Sequence, residues 1–267
     1  MLLLTSLVLV SLASACPKAC RCAGRGRVFC NDRNLREIPL GLPVDTKILF
    51  LQDNKLINSP ELTDRLEQLI FLEKVMLHNN ELVSFPAFRS NSLRELNLQG
   101  NQIERIDGNA DFPNLDILNL DDNNLSNQHW RLGFFDKMPK MRMLTMDKNL
   151  LTKFPVGLPE SLETLTISSN KIETFSLESG RPLINLEVLR MDKNKINDQV
   201  IIDFRQTLQF FIIFSLLEFS LKQFFSDFHS LAKFFPFFTK ILFSVQHFGF
   251  CSTFYFFVQN FGFCLKI

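Results

Sequence analysis

Residues 93–103 read LRELNLQGNQI, and this stretch decides the fold. Aliphatic residues hold its first, fourth, sixth and eleventh places, and an asparagine holds its ninth. The same pattern, LxxLxLxxNxL, begins again at Thr46 (TKILFLQDNKL), Leu72 (LEKVMLHNNEL), Leu115 (LDILNLDDNNL), Met141 (MRMLTMDKNLL), Leu162 (LETLTISSNKI) and Leu186 (LEVLRMDKNKI). Seven copies therefore fill residues 46–200, and only the first lacks its opening aliphatic residue. A unit this short cannot bury its own apolar face, so copies must stack on one another.

The spacing dictates how they stack. In each copy the fourth and sixth residues, such as Leu96 and Leu98, point to one side of a short strand and the fifth, Asn97, to the other. Parallel strands need a return connection, which bends the stack into a solenoid. The predicted fold is an α/β-type leucine-rich-repeat solenoid with a curved parallel sheet on its concave face and short helical or irregular segments on its convex side. The ninth-place asparagines, Asn54, Asn80, Asn101, Asn123, Asn149, Asn170 and Asn194, sit where the chain turns inward. An amide carries both donors and acceptors, so this ladder is expected to satisfy backbone groups of adjacent turns. Its intervals of 26, 21, 22, 26, 21 and 24 residues mix short and long repeats. Short ones enter through proline, as in FPAFRSNSLREL and FPVGLPESLETL; longer ones carry an extra amphipathic turn, as in LGFFDKMPKMRML.

Ahead of the array stand two other segments. Residues 1–15, MLLLTSLVLVSLASA, form an apolar run too short for a comfortable bilayer span and end in Ala13-Ser14-Ala15, a small-x-small cleavage signal. They read as a secretory signal peptide; a bacterial lipoprotein signal is the rival, because Cys16 follows the cut. Cys16, Cys20, Cys22 and Cys30 then cluster within a cap spanning residues 16–45. Paired CxxC zinc knuckles are absent, and an oxidising compartment favours two disulfides, for which the sequence alone permits three connectivities. They pin a small hairpin, CRCAGRGRVFC, in which Gly24 and Gly26 allow a tight turn.

A CxxxCxC...C cap followed by short and long repeats resembles the small leucine-rich repeat proteoglycan family, podocan-like members included, over residues 16 to about 200. The resemblance implies pairing of Cys16 with Cys22 and of Cys20 with Cys30. It also implies a secreted extracellular-matrix protein that binds fibrillar collagen, with seven repeats forming a truncated array. The family's extension before the cap is missing, the single tyrosine is Tyr255, and Ser179-Gly180 is an isolated dipeptide, so an attached glycosaminoglycan is not expected. Asn124-Leu125-Ser126 is the sole N-glycosylation sequon.

Partners are expected on the concave face. Its outward positions carry Lys47, Lys74, Arg94, Arg142, Lys148, Arg190 and Lys193 against Asp53, Glu73, Glu95, Asp116, Asp121, Asp122, Asp147, Glu163, Glu187 and Asp192. Asp121, Asp147 and Asp192 share one column, a rail for the lysines and arginines of a collagen triple helix. Glu95, Asn97, Asp121, Asp147, Arg190 and Asp192 are the partner-binding candidates. His78 reads as a lone surface histidine. The cap is basic through Lys18, Arg21, Arg25, Arg27, Arg33 and Arg36, offset by Asp32 and Glu37, and is a candidate contact for glycosaminoglycan.

Other functions lack support. A formal net charge of +1 gives no global pull toward nucleic acid. No GxSxG, HExxH, phosphate loop or dinucleotide fingerprint occurs, so neither an enzyme nor a cofactor or metal site is expected.

The carboxy-terminal stretch, 201–267, breaks the pattern: 20 of the 30 phenylalanines follow residue 200. Phe, Ile, Leu, Lys and Ser share A- and T-rich codons, so this tail reads as translated non-coding sequence outside the solenoid. Two functional readings compete with that. Residues 241–265 carry no formal charge and are long enough to anchor a membrane-tethered recognition protein, although Gln246, His247, Gln259 and Asn260 would be costly in lipid. Alternatively the tail packs on the last repeat, with Cys251 and Cys264 paired. An open solenoid end and a Phe-rich tail both predict marginal stability and aggregation.

Overall fold

The computed structural model describes residues 16–106, 108–127, 133–173, 183 and 185–196. The leader, Ser179-Gly180, Cys251, Tyr255, Cys264 and the rest of the Phe-rich tail lie outside the described residues.

Nine three-residue strands form one sheet in strict chain order. β1 (Arg21–Ala23) and β2 (Arg27–Phe29) are an antiparallel hairpin. β3 (Ile48–Phe50), β4 (Lys74–Met76), β5 (Glu95–Asn97), β6 (Ile117–Asn119), β7 (Met143–Thr145), β8 (Thr164–Thr166) and β9 (Val188–Arg190) add in parallel, one from each sequence copy. The sheet is thus a leucine-rich-repeat solenoid.

Register follows from the pattern. Middle strand residues stack inward without exposure at Leu49, Val75, Leu96, Leu118, Leu144 and Leu165, and the sixth-place column does the same from Leu51 through Ile167. Removing one such side chain to alanine leaves a cavity costing about 2–5 kcal/mol. Thr46, in place of the missing aliphatic residue, is also fully buried, and its hydroxyl donates to the Pro43 carbonyl. At β9 the stack thins: Leu186, Leu189 and Ile196 are only partly buried, whereas their counterparts in inner turns are closed off.

The asparagines tie the turns together. Asn101 Nδ2 donates to the carbonyls of Leu77 (3.0 Å) and Leu98 (2.9 Å), and its Oδ1 accepts from Leu82 N (3.1 Å). Leu98 O accepts again from Asn123 (3.0 Å), so each inner carbonyl is shared by two rungs. The eighth residue of every copy, just before the rung, is left-handed: Asp53, Asn79, Gly100, Asp122, Lys148, Ser169 and Lys193 all have φ between 54° and 65°.

Intervals of 26, 21 and 22 residues sum to a super-period of 69, which the structure makes visible. Asn58 and Asn127, 69 residues apart, both clamp the following turn: Asn58 Oδ1 accepts from Val83 N and Ser84 N, and Asn127 Oδ1 from Thr152 N and Lys153 N. Ser92 and Ser161 each donate to a carbonyl one turn earlier, at 2.9 Å. The long repeats hold the convex helices. α1 (Pro60–Gln68) starts where Ser59 Oγ accepts from Leu62 N (3.2 Å), has proline in its first turn, and buries Leu62 and Leu66. The second long repeat has a one-turn 3-10 helix, Phe134–Lys137. Between them the convex core is aromatic, with Phe88 on Phe112 at 4.7 Å and Phe85 on Phe134 at 5.0 Å.

The cap closes the amino-terminal end. Cys16 is bonded to Cys22 and Cys20 to Cys30, the pairing that the family resemblance implies. Arg25 and Gly26, rather than Gly24, take the left-handed backbone of the hairpin turn. Gly26 is required there also by space, since a Cβ would lie 2.5 Å from the Asp45 carbonyl oxygen.

Candidate binding face

At about 4.8 Å per strand, β2 to β9 spans about 34 Å of concave surface. Outward residues on it fall into columns, each with one member per turn.

The second-place column runs Lys47, Glu73, Arg94, Asp116, Arg142, Glu163, Glu187, so charges alternate along most of its length. Neighbours pair: Lys47 with Glu73 at 3.0 Å, and Arg142 with Asp116 through two 2.7 Å bonds and with Glu163 at 3.8 Å. Asp116 holds the Arg142 guanidinium above its usual range. In the next column Glu95, a predicted partner residue, is engaged by Lys74 at 2.5 Å. Exposed pairs of this kind are screened by solvent and contribute little to stability. Their larger effect is to cancel charge that the composition of the face suggests is free.

Asn97, Asp121 and Asp147 turn into the sheet. Asn97 Oδ1 accepts from Gln99 N (3.0 Å), and Asn119 Oδ1 from Asp121 N (2.9 Å). Asp121 Oδ1 accepts from Asp147 N (2.7 Å), and Asp147 Oδ1 from Ser168 N (2.6 Å). Ser168 Oγ donates to Asp192, completing a chain across four turns. Burial pushes both the Asp121 and Asp147 carboxyls above the ordinary aspartate value, and each has a neighbouring aspartate that pushes the same way. The carboxylate column is therefore spent in part on joining turns. Arg190 is exposed on β9, four strands and about 19 Å from Glu95 and Asn97. The predicted residues thus spread along a surface and do not converge on a pocket.

His78 lies in the same column as the aspartates, between Gln52 and Gln99. Burial lowers its pKa while Asp53 opposes the shift, and its Nδ1 has no hydrogen-bond partner. Asn124 is exposed on the flank just after the ladder, off the concave columns, with its backbone N–H bonded to Ile103 O (3.0 Å).

The amino-terminal end carries features that sequence reasoning missed. The Phe29 and Phe50 rings stack on adjacent strands, with centroids 4.6 Å apart and planes within 3°, and the Arg21 guanidinium lies over Phe29 at 4.9 Å. Met76 continues the column on β4. The signal was present: the first copy, TKILFLQDNKL, has Phe50 at the outward fifth place, where the last five copies have Asn, Thr or Arg. Among the described residues no group of three His, Cys, Asp or Glu side chains could hold a metal ion, and no helix is long and apolar enough to cross a membrane.

Aliphatic inward columns, an asparagine ladder and a disulfide-bonded cap define a leucine-rich-repeat protein. A family model described as "Leucine rich repeat N-terminal domain" matches residues 15–43. The leucine-rich repeat transmembrane protein FLRT2 of Rattus norvegicus is 35% identical over 196 residues, covering 73% of this chain and 29% of its own length. Podocan of Mus musculus is 29% identical over 210 residues, covering 69% of this chain and 34% of its own length. A chain in a solved octameric complex of latrophilin 3, Unc5D and the leucine-rich-repeat part of FLRT2 superposes with a TM-score of 0.65 at 34% identity, covering 69% of this chain and 57% of that one. This chain spans about a third of the length of those two relatives. The resemblance first seen to matrix proteoglycans therefore extends to a transmembrane protein of the same repeat class.

Proposed function

We propose that this chain is an extracellular, non-enzymatic recognition module that binds a macromolecule along its concave face, with fibrillar collagen as the partner. The observation that supports it most is the shape of that face: a continuous row of exposed and half-exposed polar residues on parallel strands, long enough for an extended ligand. Exposed Arg190 and the outward oxygens of Asp121, Asp147 and Asp192 are the contacts at its carboxy-terminal half. Disulfides in the cap suit an oxidising compartment. In this reading residues 1–15 are a cleaved leader, 16–45 the cap, 46–200 the repeats and 201–267 a tail outside the solenoid, and Asn124 carries an N-linked glycan on the flank, clear of the ligand.

A second reading, a membrane-tethered recognition protein anchored through residues 241–265, draws on the identity to FLRT2, a protein named as transmembrane. One experiment separates them. The full chain is expressed in a secreting cell, medium and carbonate-washed membranes are compared, and both are probed with fibrillar collagen. Soluble protein that binds collagen equally after truncation at residue 200 supports the matrix reading. Retention in washed membranes favours the tether, and soluble protein that ignores collagen rejects that partner.

A further inference from the structure

Four cations beyond the cap, Lys47, Lys74, Arg142 and Lys195, are each paired with a carboxylate. Within it, Lys18, Arg21, Arg25, Arg27, Arg33 and Arg36 are all exposed and none makes an ion pair with a described residue. The carboxylates of the cap are Asp32, Glu37 and Asp45, against these six cations.

Three of these arginines are held in place. Two disulfides fix the hairpin that carries them. Its register pairs Arg21 with Phe29 and Ala23 with Arg27, which puts Arg21 and Arg27 diagonally across one face, about 7–8 Å apart at the backbone. Arg21 is steadied on the Phe29 ring, Arg27 Nε donates to Gly24 O (3.5 Å), and Arg25 stands at the turn in a left-handed conformation. Guanidinium forks so arranged match oxyanions carried in series, and they lose less freedom on binding than lysines would.

We infer that the cap binds a sulfated glycosaminoglycan chain through Arg21, Arg25 and Arg27. An acidic protein segment is the less suitable occupant, because a protein interface needs an apolar anchor beside the charge, and the exposed apolar residues of the cap, Leu40 and Val44, lie outside the hairpin that carries the forks. Phe29, the ring beside the forks, is stacked with Phe50 and covered by Arg21. What the hairpin offers is a set of exposed forks, suited to a linear polyanion. This inference rests on the extracellular reading above but not on collagen.

The test is salt elution of the purified full chain from immobilised heparin, with R21A/R25A/R27A compared against K55A/K137A/K153A, which removes equal charge from exposed positions elsewhere. A third variant, R21K/R25K/R27K, keeps the charge and loses the forks; intact disulfides and an unchanged circular dichroism spectrum certify all three. The cap alanine variant is expected to elute at lower salt and bind on the order of tenfold more weakly at physiological ionic strength, with the lysine variant in between and the control unchanged. Equal elution of the two alanine triples overturns the inference. So does polyglutamate that binds as tightly as heparin through the same arginines, which would indicate an acidic protein. Because the column uses purified chain, retention of the protein inside cells would count against the extracellular reading without altering the elution comparison.

Discussion

Replacing Asn101 with alanine tests whether the ladder is structural. Asn101 is 8% exposed and makes two short bonds to carbonyls and one from Leu82 N. The carbonyls of Leu77 and Leu98 keep a second donor, from Asn80 and Asn123 respectively, after Asn101 is removed. Leu82 N–H is left with no partner, and an orphaned buried donor costs about 1–3 kcal/mol. Adding two bonds lost from shared acceptors, at about 0.5–1.5 kcal/mol each, brings the expected loss to about 2–6 kcal/mol. Asn101→Asp should be worse at neutral pH: it keeps the acceptor for Leu82 but aims a carboxylate at two carbonyl oxygens. Its deficit should shrink on acidification, because a protonated carboxyl can donate to one of them. The neighbour Gln102 is exposed, and Gln102→Ala should fall within about 0.5 kcal/mol of the parent. Urea unfolding followed by far-ultraviolet circular dichroism measures all three. Loss of less than about 0.5 kcal/mol in Asn101→Ala, equal to the control, would refute the ladder's energetic role.

The aspartate column should make stability pH-dependent in a defined direction. Folded-state pKa values of Asp121 and Asp147 are raised, so their favourable contribution is complete below the ordinary value of about 3.9 and is lost as pH rises through the raised values. Asp147→Asn retains an oxygen for Ser168 N and should raise the melting temperature at pH 7, with the gain vanishing near pH 3; a lower melting temperature at pH 7 would contradict this. Ser59→Ala should cost about 1 kcal/mol in urea unfolding through loss of the α1 cap. Replacing Cys20 and Cys30 together by serine opens a ten-residue loop and should cost about 2–3 kcal/mol in the same assay. Arg142→Ala, at a solvent-screened exposed ion pair, should leave the urea midpoint close to that of the parent.

The inward half of the molecule was legible because a single requirement, burial against the next turn, acts on it identically in every copy. Leu96, Leu98 and Asn101 and their equivalents are therefore the same residue types seven times over. Left-handed eighth places were not legible, since Asp, Asn, Gly, Lys and Ser can all occupy them and only the set as a whole marks the conformation. Asn58 and Asn127 were hidden for another reason: each clamps a long repeat, so the signal has a period of 69 residues and appears only twice. Outward residues have partners that no single copy of the repeat reveals. Sequence places Glu95 and Asp121 on the face, yet Lys74 and the Asp147 amide that occupy them come from adjacent turns.

That distinction bears on where recognition resides. Along the concave face, a charge is available to a ligand only if the next turn does not already use it. The alternating second-place column and the hydrogen-bonded aspartates mean that much of the apparent charge belongs to the fold. Arg94, Arg190 and the cap arginines are exposed and make no ion pair with a described residue. In the binding reading proposed above, such unpaired charges are the ones a ligand can meet, while the paired columns supply shape and hydrogen-bonding groups. An extended partner can meet both ends at once, which a compact one of less than about 34 Å cannot.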